Sequence, residues 1–200
     1  MAANTILNNE RLNPDFIDFL NDLKRDIFLN LNCHGIAVVD SVDYDNQRLT
    51  AKMAYKKSII KKQDDKFVQR LQPYPTLVDM PFISLRGDKG GLNIPPQPGD
   101  ECLVFFNDRC LDDWYQSGSV NSLSSNRLHS MSDGIALVGL GSMSNLIKNY
   151  DPTKVTLYYG NTKVSLGEKI KISNDSQDLK SLLQELVQKV TELANLNGLS

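Results

Sequence analysis

Histidine and cysteine are scarce in this chain, and their scarcity limits the chemistry that its side chains offer. The 200 residues include two His, three Cys and one Trp. The cysteines follow no regular spacing, which argues against a disulfide framework and against a four-cysteine zinc site. The sequence also has no HxH, HExxH or CxxC motif. We therefore expect neither a metal site nor any other cofactor.

Long apolar runs and a targeting segment are also missing. The run GIALVGLG at residues 134–141 is far shorter than the roughly 20 residues that a membrane-spanning helix needs. The first residues, MAANTILNNERLNP, are too polar for a signal peptide. With a formal net charge of −2, the chain is expected to be a soluble protein made in a reducing compartment.

The stretch PQPGDECLVFFNDRCLDDWYQSG, residues 96–118, holds two of the cysteines and the only Trp. A cysteine hydrolase would use Cys102 or Cys110 as nucleophile, with one of the two histidines as base. However, Cys102 alternates with apolar residues on a predicted strand, and Cys110 has no histidine near it in sequence. Asp112 and Asp113 resemble a catalytic carboxylate pair, but neighbours on a strand point to opposite faces. The pattern favours a non-enzymatic protein.

Residues 14–31 are predicted to form a helix. Asn13 is a good N-cap, and Pro14 suits the first helical position. Apolar residues recur along one side with the helical period. This stripe consists of Phe16, Phe19, Leu20, Leu23, Ile27 and Leu31. Because an apolar stripe needs an apolar partner, the helix is predicted to dock on a barrel of its own or a neighbouring chain, or on another protein. The predicted docking residues are Phe16, Phe19, Leu23 and Ile27.

Short strands dominate residues 33–141, which favours a small barrel such as a five-stranded OB-fold. Alternating runs on either side of Asp45 predict a hairpin, and Pro81 confines its own run to a sheet edge or to a strand start. The basic run at residues 56–70 is typical of a solvated hairpin or loop. The alternative is an arm that contacts phosphates.

Exposed aromatic residues on an OB-fold barrel can stack on nucleic-acid bases, so Trp114 and Tyr115 are candidates for that role. Asp108, Asp112 and Asp113 flank them and would repel a phosphate backbone. The aromatic pair is therefore predicted to pack in the barrel or at a subunit contact. An OB-fold module that binds nucleic acid or oligosaccharide remains the alternative to a structural role.

The segment at residues 142–174 is predicted to contain three short strands, each with one apolar face. The apolar positions are Val155, Leu157, Val164, Leu166, Ile170 and Ile172. Three strands this short cannot close a barrel or bury that face alone. Copies of the same segment from other subunits are the natural partners.

Residues 175–200 are predicted to form a helix that is capped by Asp175 or Ser176. Its apolar residues have the alternating spacing of a heptad seam, with Leu183 and Val190 at a. The seam consists of Leu179, Leu183, Leu186, Val190 and Leu193. This pattern favours an oligomeric helical bundle, and the alternative is a helix folded back on the barrel.

The ordered features resemble the baseplate central spikes of contractile-tailed phages, specifically the N-terminal OB domain of membrane-piercing spike proteins. A leading helix is followed by HGIAVVDSVDYDNQRLTAKMAY, then by PTLVDMPFISLRGDKGGLNIPPQPGDECLVFFNDRCLDDWYQSG, then by RLHSMSDGIALVGL. The blocks PGDECLVFFNDRCLDDWYQSG and SDGIALVGL are the most specific part. From the first block to the last, the resemblance spans residues 34–140.

The resemblance implies a mainly β protein with flanking helices that forms a homotrimer on the tail axis. The expected domains are an N-terminal helix at 1–32, an OB-fold barrel at 33–141, a linker and intertwined β-prism at 142–174, and a trimeric C-terminal helical bundle at 175–200. The apolar residues of the prism strands and of the last helix would then surround the trimer axis. No catalysis is implied, because such spikes transmit sheath contraction to puncture of the host envelope.

The resemblance also implies partners and a location. The chain would be assembled in the host cytoplasm into the virion baseplate, against tail hub proteins and in transient contact with the host envelope, without a specific nucleic acid. Many relatives end in a needle whose apex histidines bind iron. This chain has no histidine after His129, so the iron site is not carried over. Leu196 and Leu199 are instead predicted to contact a separate spike-tip protein.

Overall fold

The computed structural model describes residues 16–63, 66–120, 122–148, 150–196 and 198. The chain forms two compact units, Met1–Asn145 and Leu146–Ser200. Three helices occur in the described ranges: α1 Phe16–Asn30, α2 Asp112–Ser117 and α3 Leu179–Leu196. The strands of the first unit are β1 His34–Asp43, β2 Arg48–Met53, β3 Lys56–Gln63, β4 Lys66–Pro73, β5 Leu77–Pro81, β6 Leu85–Arg86, β7 Gly91–Leu92, β8 Glu101–Phe106 and β9 Gly134–Leu140.

Five of these strands form one curled sheet in the order β5-β2-β1-β8-β9. All of its neighbouring strands pair antiparallel. Just beyond β5, Phe82 forms a parallel bridge to Ala136 of β9, and the Ile83 amide donates to the Ala136 carbonyl at 2.8 Å. The two edges of the sheet therefore approach each other, and the result is a half-barrel that agrees with the OB-like fold expected from the sequence.

The core of the half-barrel follows from strand alternation. In β1, Gly35, Ala37 and Val39 are buried, whereas the residues between them are exposed. Ten buried residues form the core cluster: Ala37, Val39, Leu49, Ala51, Leu77, Met80, Cys102, Val104, Phe106 and Ala136. Cys102 is completely buried, and this burial raises the pKa of its thiol to about 11. The prediction that Cys102 is a core residue is confirmed.

Several predicted elements of the first unit are confirmed. Strands β1 and β2 form the expected hairpin around Asp45. The basic run forms a second hairpin, β3–β4, whose side chains are nearly all exposed. Strand β5, which contains Pro81, lies at the sheet edge. Helix α1 is present from Phe16, while the predicted cap Asn13 and Pro14 lie outside the described residues.

The segment after β8 differs from the prediction. Asp112 and Asp113 do not lie on a strand but occupy the first turn of α2, where carboxylates interact favourably with the helix dipole. Gly118 ends this helix in a left-handed conformation, with φ of 65°. Trp114 is 55% exposed, so the prediction that it packs in the barrel is wrong, while the alternative, a subunit contact, stays a prediction. The half-barrel core is filled by strand residues, and α2 holds the Trp114 side chain outside it.

In the second unit, β10 Val155–Tyr159, β11 Thr162–Leu166 and β12 Ile170–Ser173 form a three-stranded antiparallel sheet. The predicted caps Asp175 and Ser176 are wrong, because α3 begins later. The carboxylate of Asp178 accepts a hydrogen bond from the Ser181 amide at 2.9 Å and so acts as the N-cap. The Asn174 side chain accepts from the Ser176 amide at 3.0 Å, which holds this segment in a turn before the helix.

Candidate self-assembly surface

One face of the β10–β12 sheet carries all six apolar residues predicted from the strand pattern. Residues directly opposite each other in neighbouring strands point to the same face. The register pairs Val155 with Leu166 and Leu166 with Ile170. It likewise pairs Leu157 with Val164 and Val164 with Ile172. These two cross-strand rows are called the sheet face below: Val155, Leu166, Ile170, Leu157, Val164 and Ile172.

The sheet face is uncovered within the described chain. Ile170 is 74% exposed and Val155 is 70% exposed, while Val164 alone among the six is partly buried. Burying one such side chain completely is worth about 1.5–3 kcal/mol. The six side chains therefore provide a strong drive for association once a matching surface is present.

The opposite face of the same sheet is mainly polar, although it also carries Tyr158. Thr156 pairs with Ser165, and Ser165 pairs with Lys171, so these three residues form a row behind the sheet face. The sheet therefore has one apolar side and one side suited to water. This asymmetry is typical of a sheet that packs on a single partner surface.

Helix α3 presents a second uncovered apolar surface, the α3 seam. It consists of Leu179, Leu183, Leu186, Val190 and Leu193, all of them between 46% and 58% exposed. In the same heptad register, Leu182 falls at g and Val187 at e, and both are also exposed. The seam is thus wider than an a/d pair alone. Its a positions mix Leu and Val, which does not select one oligomer size.

Helix α1 is the third uncovered surface. Its residues, all of which the structure describes, are exposed or partly exposed. The predicted docking residues Phe16, Phe19, Leu23 and Ile27 range from 46% to 72% exposed. At the end of α3, Leu196 is 83% exposed, while its predicted companion Leu199 lies outside the described residues.

Removing residues 1–30 should leave the half-barrel as stable as before. Helix α1 has no buried residue, and among the described residues an exposed hydrogen bond joins its Asn30 to Lys57. We expect a change of less than about 0.5 kcal/mol in the free energy of unfolding, as for surface changes generally, measured by urea titration of the full and shortened chains. A loss above about 2 kcal/mol would show that α1 packs on its own half-barrel.

A polar cluster beside α2 is the main chemical feature of the half-barrel. Asp133 is completely buried. Its carboxylate accepts from Arg127 Nε at 3.0 Å and Nη2 at 2.8 Å, and from the Leu111 amide at 3.1 Å. Arg127 Nη2 also donates to Asp112 at 2.8 Å and contacts the Cys110 sulfur at 3.1 Å. The cluster ties the start of α2 to the segment that precedes β9.

Arg127 compensates the negative charges of Asp112 and Asp133 in this cluster. Burial opposes ionisation of Asp133, but the hydrogen bonds from Arg127 and from the Leu111 amide outweigh it, so the pKa of Asp133 is lowered. Potential ligand atoms of Cys110, Asp112 and Asp133 lie within 4.8 Å of one another. All three residues already interact with the guanidinium. Arg127 is therefore the cation that this geometry accommodates, and the cluster holds the loop in place.

Sequence reasoning missed Arg127 and Asp133. A usable signal was present, because they are the only two charged residues between Gly118 and Gly134 apart from a histidine. An isolated pair of opposite charges in an uncharged segment next to a core strand indicates an internal ion pair. The predicted aromatic neighbour Tyr115 serves a related purpose: its hydroxyl donates to the Asn46 carbonyl at 3.1 Å, and Arg48 lies over its ring at 4.5 Å.

None of the helices in the described part of the chain combines the length and the hydropathy that a membrane crossing requires. None of the curated proteins compared with the chain matches it. Among protein families, residues 37–139 match the one described as phage protein Gp138 N-terminal domain. The match runs from β1 to β9 and so covers the curled sheet together with the Arg127 cluster. The chain therefore belongs to the phage protein Gp138 N-terminal domain family.

Proposed function

We propose that this chain is the structural, trimeric central spike or hub of a contractile phage tail baseplate. In this role it transmits sheath contraction to puncture of the host envelope and performs no catalysis. Membership of a phage protein family supports a virion component. The half-barrel would form the collar around the axis, and the segment after it would form the shaft.

The observation that carries this proposal is the exposed sheet face. Two rows of three aliphatic side chains line one side of a short sheet, and among the described residues of this unit only Ser173 is buried. Three copies, each with its sheet face toward a common axis, would form a closed prism with an apolar interior. A closed arrangement of strands leaves few free edges and is stiff, as a part that transmits force must be.

The α3 seam continues the same arrangement. In the proposed trimer, each chain's α3 follows its own β10–β12 sheet. The prism would therefore bring the three helices close together, which lowers the entropic cost of forming a short bundle. Leu196, exposed at the end of α3, and Leu199 are the proposed contacts for a separate spike-tip protein. Asn195 and Gly198 are poor helix formers, so the end of this bundle is a poor piercing point by itself.

Locating the chain in intact phage particles tests the proposed function. We expect density for three copies of the half-barrel on the tail axis, below the hub, with further density beyond α3 from a second protein identified by mass spectrometry. Density for this chain away from the tail axis, or in a single copy, would refute the spike. Axial trimers with nothing beyond α3, in particles that still penetrate cells, would refute only the tip protein.

A further inference from the structure

The β3–β4 hairpin has one face that is both apolar and basic. The register places Ile60 opposite Gln69, Ser58 opposite Leu71 and Lys62 opposite Phe67, so these side chains share one side of the ribbon. Phe67 is 71% exposed, Leu71 is 68% exposed and Ile60 is 52% exposed. This side, called the Phe67 face, also carries Lys56 at its base. Two-stranded ribbons are marginal in water unless a surface packs on them.

The hairpin is positive. Residues 56–73 contain six basic residues and two acidic ones, Asp64 and Asp65. On the Phe67 face itself the basic residues are Lys56 and Lys62, both on β3. An apolar face with lysines along one strand fits a partner that has an apolar stripe beside an acidic edge.

Helix α1 has that combination. Its stripe of Phe16, Phe19, Leu23 and Ile27 is exposed. Asp18, Asp22 and Asp26 are spaced four residues apart and therefore form an acidic row on the helix surface. In a helical projection, Asp22 and Asp26 lie beside one edge of the apolar stripe, and Lys24 lies beside the other. The Phe67 face and α1 thus match in hydrophobicity, and the acidic edge of α1 matches Lys56 and Lys62 in charge.

The two elements also match in size and in position. Helix α1 has 15 residues, which gives a length of about 22 Å, and each hairpin strand has 8 residues, or about 26 Å. Both extend from the same place, because Lys57 Nζ donates to Asn30 Oδ1 at 3.3 Å. Yet α1 and the Phe67 face are both exposed in the single chain, so neither covers the other within one molecule.

We propose that the Phe67 face binds α1 of a neighbouring copy of this chain. The contact rests on the self-association in the proposed function and adds a second interface to it, at the half-barrels. Each copy supplies one hairpin and one helix, so three contacts form around a ring. The apolar residues supply the area, and the Asp22–Asp26 row faces the hairpin lysines.

Site-specific cross-linking tests this contact. In a Cys33→Ser background, which removes the exposed native thiol, one full-length chain carries Phe19→Cys and a second, distinguishable by a longer tag, carries Phe67→Cys. The chains are co-expressed and oxidised with copper phenanthroline. We expect a mixed disulfide dimer on a non-reducing gel. Repeating the experiment with Leu23→Cys in place of Phe19→Cys detects the contact even if α1 lies about one helical turn further along the hairpin.

The matched control replaces Phe67→Cys by Val68→Cys, the next residue on the same strand but on the other face. The mixed dimer should be several-fold less abundant with this control. Equal yields, in chains that light scattering shows to be trimers, would overturn this contact and leave the proposed function intact. If light scattering shows the chains to be monomers, both this contact and the proposed function are contradicted.

Two further results would overturn the contact in particular. A chain carrying both cysteines that forms an internal disulfide, seen as a faster-moving monomer, would show that α1 covers its own hairpin. Salt-dependent binding of a fluorescent single-stranded oligonucleotide that Lys62→Glu abolishes would show that the Phe67 face binds phosphates instead. We expect no such binding by the assembled protein.

Discussion

Arg127→Met should destabilise the half-barrel by about 3 kcal/mol, because removing one partner of a buried ion pair leaves the other charge uncompensated. The remaining charge is Asp133, whose side chain has no exposed area. Methionine retains much of the length and apolar volume of arginine, so the loss measures charge and hydrogen bonding rather than packing. Urea unfolding followed by tryptophan fluorescence would report the change, with Trp114 as the only such probe.

Arg109→Met is the matched control. Arg109 is exposed, and its replacement should change the free energy of unfolding by less than about 0.5 kcal/mol. Adding Asp133→Asn to Arg127→Met should restore part of the stability, because the double variant buries no charge. A loss below about 1 kcal/mol for Arg127→Met would mean that the ion pair contributes no more than a surface pair.

The pH dependence of stability should change sign in the Arg127→Met variant. In the native chain the pKa of Asp133 is lowered, so its contribution is present above the unfolded value of about 3.9 and is lost as the pH falls through the folded pKa. Without Arg127, burial should raise that pKa above the unfolded value. The variant should then become more stable as the pH falls from about 7 to about 4, which urea titrations across this range would detect.

Leu157→Asp should abolish assembly. Leu157 lies at the centre of β10, opposite Val164 of the middle strand β11. In the proposed trimer, three copies of the variant would bring three carboxylates to one apolar axis. Burying unpaired charges costs several kcal/mol each, more than the lost side chains contributed. We expect the molar mass by light scattering to fall from three chains to a single chain of 22.4 kDa.

Thr156→Asp is the control for this prediction, since it lies on the same strand but on the polar face. It should leave the trimer intact. Leu186→Asp, in the α3 seam, should weaken assembly less than Leu157→Asp, because the seam is short. If Leu157→Asp and Thr156→Asp both remain trimeric, the sheet face does not line the axis.

The sequence predicted elements well where a residue pattern reports directly on its surroundings. Alternation identified β1 and β8, and the position of Pro81 identified an edge strand. The same logic placed the six residues of the sheet face on one side, as the cross-strand register confirms. Self-association by these residues stays a prediction, because a single chain contains no partner that could cover them.

The features that the sequence does not predict depend on particular hydrogen bonds that residue types alone do not indicate. Asp112 was assigned to a strand because the run before it is a strand, but α2 forms where Asp112 reaches Arg127, fifteen residues later. The cap of α3 was misplaced because Asp175 and Asp178 are equally good caps by composition. Only the turn built on Asn174 decides between them.

The unequal distribution of buried residues between the two units has a consequence for the order of assembly. The half-barrel has a core of its own and can fold while the chain is isolated. In the second unit Ser173 is the only described buried residue, so in the proposed trimer this unit would obtain its core only when copies meet. Its assembled fraction would then depend steeply on chain concentration, by mass action. A host cell early in infection would hold folded collars on unformed shafts, and the shafts would form cooperatively once synthesis raises the concentration.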